Sequence, residues 1–198
     1  MMKSLQGTQT ADNLARAFAG ESQARNRYTI YAEYAKSEGH DILNAIFTFV
    51  AENERAHAKV FYDLLIEGLG NATLEFSADY PFAMGSTVQN LGYAAEGENH
   101  EWTEVYPAFA DIAKQEGFPE VEYAFRSIAN IEKGHYQEFT KFKTKLESGT
   151  LYKSMQPTKW KCTNCGHIHE GTEAPGICPV CKHPQGFFIE ESSSFSQG

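Results

Sequence analysis

Apolar residues recur at three- and four-residue spacing from about residue 10 to residue 147, and glycines punctuate the pattern at 39, 68, 70, 117 and 149. That period marks helices that each bury one face. Four helical segments are expected. The first covers 10–38 and stops before Gly39. The second covers 41–67, with Asp41 as its N-cap, and stops before Gly68 and Gly70. The third covers 86–116, before Gly117. The fourth starts near Pro119, a favourable first-turn residue, and ends before Gly149. The first and third connections are only a few residues long, so each flanking pair should form an antiparallel hairpin. The connection at 69–85 is much longer. At about 3.3 Å per residue it can run the length of a bundle.

Four helices joined by one long crossover are the ferritin-like topology, so an all-α four-helix bundle is expected for residues 1–150. From Leu151 the helical period disappears and Gly, Pro, Cys, Lys and Thr become frequent. Residues 151–158 read as a linker, 160–190 as a small metal-stapled unit, and 192–198 as a frayed tail. Residues 151–198 therefore form a second, smaller domain.

The two hairpins repeat each other. The tripeptide at 20–22 (GES) returns at 97–99 (GEN), an offset of 77. AKSEG at 35–39 returns as AKQEG at 113–117, an offset of 78. Glu54 and His57 match Glu132 and His135, again at 78. One extra residue must then lie between Glu98 and Ala113. An insertion of that kind is absorbed either as a π-bulge or as a simple kink, and Pro107 in the same interval removes a backbone donor.

Candidate chemistry sits in this repeat. Glu54–His57 and Glu132–His135 are both Glu-x-x-His, which puts both side chains on one helical face, one turn apart. Glu21 and Glu98 each lie about 19 residues before their hairpin turn, and Glu54 and Glu132 about 14 or 15 after it, so all four acids come to one layer. Apolar neighbours at helical spacing, among them Phe18, Val50, Phe61, Ile128 and Phe139, make that layer internal. Buried carboxylates repel one another and lose hydration unless they are protonated or meet cations. One Glu from each of two helices, with Glu-x-x-His from the other two, is the donor set of di-iron bundles. Glu101, one turn after Glu98, has only Ala24 as its counterpart and is a candidate seventh ligand. It would make the two metals unequal, so that one iron exchanges Glu101 for His57 as its charge changes. Tyr28 and Tyr106 also match across the repeat and are candidate hydrogen-bond partners of ligand carboxylates. His40 and His100 read as loop and surface residues.

The net charge of −9 lies wholly in the first 150 residues, which hold 13 basic and 22 acidic groups; the remainder holds four of each. An acidic domain without a Lys/Arg stripe argues against a nucleic-acid partner. The 41% of hydrophobic residues suffices for a core without disulfides. No apolar run approaches the roughly 20 residues of a membrane span. The N-terminal 20 residues lack the apolar stretch of a signal peptide, so the expected compartment is the cytoplasm.

All four cysteines fall in two Cys-x-x-Cys pairs, Cys162/Cys165 and Cys178/Cys181, separated by twelve residues. This spacing makes a tetrathiolate metal site, and Gly166 relieves a tight turn after the first pair. Zinc and a single iron both accept four tetrahedral sulfurs. His167, His169 and His183 stand nearby, but four thiolates already complete the shell.

AFAGESQARNRY at 17–28, ENERAH at 52–57, EGENHEWTEVYP at 96–107 and AKQEGF at 113–118 resemble the helices of rubrerythrins. WKCTNCG at 160–166 with CPVC at 178–181 resembles their rubredoxin-like tail, although Lys182 stands where such knuckles usually carry Gly. The resemblance implies a non-haem iron peroxidase of anaerobic or microaerophilic cells. Hydrogen peroxide would be cleaved to water at the di-iron site. Electrons would enter through the Fe(Cys)4 centre from a reductase or rubredoxin, fed from a nicotinamide cofactor. It further implies three irons per chain, with zinc as a possible substitute, and a homodimer or higher homo-oligomer. In such an assembly the tail iron of one subunit lies near another subunit's di-iron pair. Iron storage with ferroxidase activity is the alternative, since it uses the same bundle, and a zinc-ribbon binding module is a third reading.

Overall fold

The first helix opens where Thr8 caps it, its side chain accepting from the Ala11 N–H at 3.2 Å. In the computed structural model, which describes residues 2–191, this helix, α1, spans Gln9–Ser37. Its buried face is mostly small: Ala11, Ala15, Ala17, Gly20, Ala24, Ala32 and Ala35. Small residues let a neighbouring helix come close. That neighbour is α2, Asp41–Leu69, reached through the left-handed Gly39 (φ +81°). It contributes the bulk that α1 lacks: Ile42, Ile46, Phe47, Val50 and Phe61 are all buried.

The crossover carries no regular secondary structure and is tied down by side chains. Arg16 donates to the Ser77 carbonyl at 2.8 Å, and the Tyr80 hydroxyl donates to the Arg16 carbonyl at 2.6 Å. Tyr31 donates to the Ala83 carbonyl. A capping box between Ser86 and Gln89 then starts α3, Thr87–His100.

The expected third helix is one rod in three pieces: α3, a π-helical segment Glu101–Val105, and α4, Tyr106–Glu116. The extra residue inferred from the 77-to-78 change of offset is absorbed as a π segment. Pro107 falls one residue after the π segment and supplies no N–H to the ladder there. After Gly117 (φ +81°), α5 runs Pro119–Glu147 and packs on α3 and α4.

Two apolar clusters fill the bundle. One gathers Tyr28, Tyr31, Phe47, Leu91 and Phe139. The other gathers Leu14, Phe61, Tyr106, Phe125 and Ile128. Along α2 and α5 the repeated spacing places an acidic residue between them: Glu54 between Val50 and Phe61, Glu132 between Ile128 and Phe139. A polar layer is thus held dry from both sides. Among the described residues no helix is long and apolar enough to cross a membrane.

The chain after α5 differs from the expected linker. Leu151 is buried in the bundle's first cluster, and β1 already begins at Lys153, running to Cys162. It pairs antiparallel with β2, Ile168–Glu173, and β3, Phe188–Glu190, in the order β2-β1-β3. Trp160, fully buried, anchors this unit and donates to the Gly171 carbonyl at 3.0 Å. The unit docks on the bundle's end. Ile189 joins the first cluster, Lys145 pairs with Glu190 at 2.8 Å, and His40 Nδ1 meets the Tyr152 hydroxyl at 3.2 Å. Residues 192–198, expected as a frayed tail, lie outside the described residues.

Candidate metal centres

Six of the seven predicted bundle ligands converge. Glu21, Glu54, His57 and Glu132 offer donor atoms within 4.8 Å of one another, and so do Glu54, Glu98, Glu132 and His135. Glu54 and Glu132 belong to both groups, so the two Glu-x-x-His glutamates are shared between two positions. His57 Nδ1 lies 2.9 Å from Glu132, 3.0 Å from Glu54 and 3.8 Å from Glu21. His135 Nδ1 lies 2.7 Å from Glu132, 3.2 Å from Glu54 and 3.4 Å from Glu98. Donors on one ion with bonds near 2.1 Å stand about 3 Å apart, which is the spacing found.

The four carboxylates are essentially inaccessible, with relative exposures of 0–1%. Their unmet needs agree with a metal pair. Glu21 Oε2, Glu54 Oε1, Glu98 Oε2, both Glu132 oxygens and His135 Nδ1 are buried without a hydrogen-bond partner. His135 Nδ1 is close to Glu132 but does not aim its hydrogen at it. Orphaned buried polar atoms are costly. Aimed at common points, they fit two cations.

Without metal the layer is electrostatically tense. Burial, then repulsion from Glu54, pushes Glu21 up to about 8. Burial, then Glu21 and Glu98, pushes Glu132 up to about 7. Burial disfavours a charged His57, but the close carboxylates of Glu132, Glu21 and Glu54 outweigh it and raise the imidazole to about 12. His135 moves upward by the same balance against Glu132, Glu54 and Glu98. Glu98 moves down despite burial, because the His135 imidazole lies close to it and the Tyr28 hydroxyl donates to it.

The two tyrosines reach across the bundle. Tyr28 of α1 donates to Glu98 of α3, and Tyr106 of α4 donates to Glu21 of α1. Each phenol therefore holds the carboxylate of the other hairpin.

Glu101 stands apart. It is half-buried at the start of the π segment and belongs to neither four-residue group. Burial and the field of Glu21, Glu98, Glu132 and Glu54 raise its carboxyl well above the usual range. It lines a cavity of about 260 Å³ between α1, the π segment and the crossover, together with Tyr106, Gly20, Gly97, Arg27 and Tyr80. His100 is exposed beside Glu104, and His40 faces Tyr152. Asn53, which sequence reasoning did not single out, meets His135 Nε2 through its Oδ1 at 3.2 Å.

The four cysteines gather as expected. Cys162 and Cys181 sulfurs are 3.7 Å apart, as are those of Cys165 and Cys178. Metal–sulfur bonds of about 2.3 Å in a tetrahedron give an edge of about 3.8 Å. Matching knuckles present them: the Cys162 N–H donates to the His167 carbonyl and the Cys178 N–H to the His183 carbonyl, both at 2.8 Å. The left-handed residue is Gly166 in the first knuckle and Lys182 (φ +64°) in the second, which Lys tolerates at some strain. None of His167, His169 and His183 joins the thiol group.

Bundle, buried carboxylate–histidine layer and tetrathiolate knuckles together define a ferritin-like metal protein with a rubredoxin-like domain. Family profiles agree: one described as Rubrerythrin matches residues 12–143, and one described as Rubrerythrin, rubredoxin-like domain matches 160–189. The chain is 50% identical to rubrerythrin-1 of Clostridium acetobutylicum over 94% of its own length and 96% of that relative. It is 45% identical to the rubrerythrin of Nitratidesulfovibrio vulgaris over the same shares. A structure of nigerythrin in a mixed-valence state superposes with a TM-score of 0.64 at 25% identity, covering 95% of this chain and 92% of that one. The chain belongs to the rubrerythrin family.

Proposed function

We propose that the chain is a peroxidase that reduces hydrogen peroxide to water, H2O2 + 2 e⁻ + 2 H⁺ → 2 H2O. The observation that carries this reading is the pairing of an orphaned, doubly shared carboxylate layer with a separate tetrathiolate knuckle unit in one chain. Glu21, Glu54, His57, Glu98, Glu132 and His135 would hold two irons, with Glu101 as a seventh ligand to one of them. Cys162, Cys165, Cys178 and Cys181 would hold a third, and zinc can replace iron there. When bound, the paired irons supply Lewis-acid polarisation and two reducing equivalents.

The chain's own groups do the rest. Glu54 and Glu132, which belong to both donor groups, would serve both irons. Tyr106 and Tyr28 orient the terminal carboxylates Glu21 and Glu98. The two apolar clusters keep bulk water away from the layer. The cavity leads a small molecule to Glu101 and Tyr106, where a carboxyl group and a phenol can exchange protons with it. The tail domain gives electrons a place to enter from a reductase or a rubredoxin. Ferroxidase and storage chemistry would use the same bundle but has no use for that tail. A homodimer, which would bring one subunit's tail to another's bundle, and a cytoplasmic setting complete the proposal.

Metal counts with peroxide-consumption assays on Glu54→Ala and Cys162→Ser test it. Glu54→Ala should lose the paired irons and turnover with any reductant. Cys162→Ser should lose the red colour of ferric tetrathiolate and donor-dependent turnover. Full donor-dependent turnover in Cys162→Ser would refute the electron-port role.

A further inference from the structure

The pseudo-two-fold repeat makes departures from symmetry conspicuous. Glu21 answers Glu98, Glu54 answers Glu132, His57 answers His135, and Tyr28 and Tyr106 exchange partners. Asn53 breaks the pattern. Its Oδ1 lies 3.2 Å from His135 Nε2, on the side of the ring away from the carboxylates. Shifted by 78, its counterpart is Ile131, 45% exposed and without any hydrogen-bonding group. Among the described residues, no protein group accepts from His57 Nε2.

A metal-binding imidazole needs its other nitrogen protonated and paired. The pairing fixes the tautomer and the ring's orientation. We infer that Asn53 is the positioning residue of the Glu98/His135 half-site, and that its absence at Ile131 leaves the Glu21/His57 half-site the more weakly held metal position. Asn53 acts from α2, next to Glu54, onto a ring carried by α5. It therefore ties both helices to one metal position. His57 has no such tie on its Nε2 side, and only the carboxylates at Nδ1 hold its ring. The second unmatched residue stands on the same side. Glu101 shares its cavity with Tyr106, the phenol that holds Glu21. The half-site whose histidine lacks a partner at Nε2 thus has a spare carboxylate beside it.

This inference rests on the metal-binding part of the proposed function, and metal occupancy tests it without peroxide. The full chain, stripped with a chelator, is crystallised with about two equivalents of zinc, one for the four cysteines. Anomalous scattering then reads each position. The unmodified chain should fill the Glu98/His135 position ahead of the Glu21/His57 position. Asn53→Ala should abolish that preference, with affinity at the favoured position falling about tenfold or more. Asn53→Asp, which keeps an acceptor, should retain it. Ile131→Asn should raise occupancy beside His57 towards parity. Zinc at the cysteines reports folding in every variant. An unchanged ratio in Asn53→Ala, or a wild-type preference for the His57 position, overturns the inference. Zinc in neither half-site of the unmodified chain would overturn the metal-pair reading itself, a distinguishable result.

Discussion

The Tyr106 hydroxyl donates to Glu21 from the opposite hairpin, with both groups buried. A hydrogen bond to a buried charge contributes about 1.5–3 kcal/mol. Tyr106→Phe removes it without opening a cavity. Stability of the metal-loaded chain, measured by denaturant unfolding, should drop by about that amount. Tyr28→Phe should behave alike because Tyr28 plays the same part for Glu98.

Metal removal should reverse an ordinary pH trend. In the metal-free fold Glu21 keeps its proton up to about 8, Glu132 up to about 7 and His57 up to about 12, against ordinary values of 4.5, 4.5 and 6.5. The folded chain then binds more protons than the unfolded chain above about pH 4.5. The stability these groups provide is complete below their unfolded values and is lost as pH rises through their folded ones. Thermal melts of the chelator-treated chain should show Tm falling from about pH 5 to pH 8. Zinc loading, which displaces the protons, should raise Tm more at the alkaline end. A metal-free Tm that climbs over this range would contradict the account.

The docking of the tail domain depends on a missing side chain. A Cβ at Gly186 would lie 2.1 Å from the Gly39 carbonyl and 2.9 Å from Asp41 Oδ2. Gly186→Ala should therefore lift the tail from the α1–α2 turn. Hydrogen exchange should speed up around Tyr152 and Glu190, while the bundle's helices keep their protection.

Access to the layer should narrow when Gly20 gains bulk. An added Cβ there meets only Tyr80 Cε1, at 3.5 Å, so the helix tolerates it. A longer side chain would enter the cavity that Glu101 and Tyr106 line. Gly20→Leu should raise KM for peroxide several-fold in stopped-flow assays, with iron content and the tetrathiolate spectrum unchanged.

Much of this was legible in the chain. Helix ends were written by glycines at φ > 0 and by Pro119, and the repeat with its offset change foretold the π segment. The cysteine spacing foretold the tetrathiolate cage. What escaped depended on contacts between distant segments. Tyr28 points along its own helix's acidic face, yet its partner is on α3. Leu151 looks like linker by composition and is buried only because the bundle's end is open to it. Asn53 is an ordinary exposed-looking residue before a glutamate. Only its absence from the matching place at 131 hinted at a role. Glu101 shares a face with Glu98 by helical spacing, but it opens the π segment, where that spacing no longer holds.

The crossover at 70–86 has an effect beyond connectivity. Two identical hairpins could assemble the same four-helix core by simple pairing of separate chains. In such a pair every substitution would occur twice, once on each side of the axis. Joining the halves covalently lets one side change alone. Asparagine opposite isoleucine and glutamate opposite alanine are differences that only a fused pair can inherit.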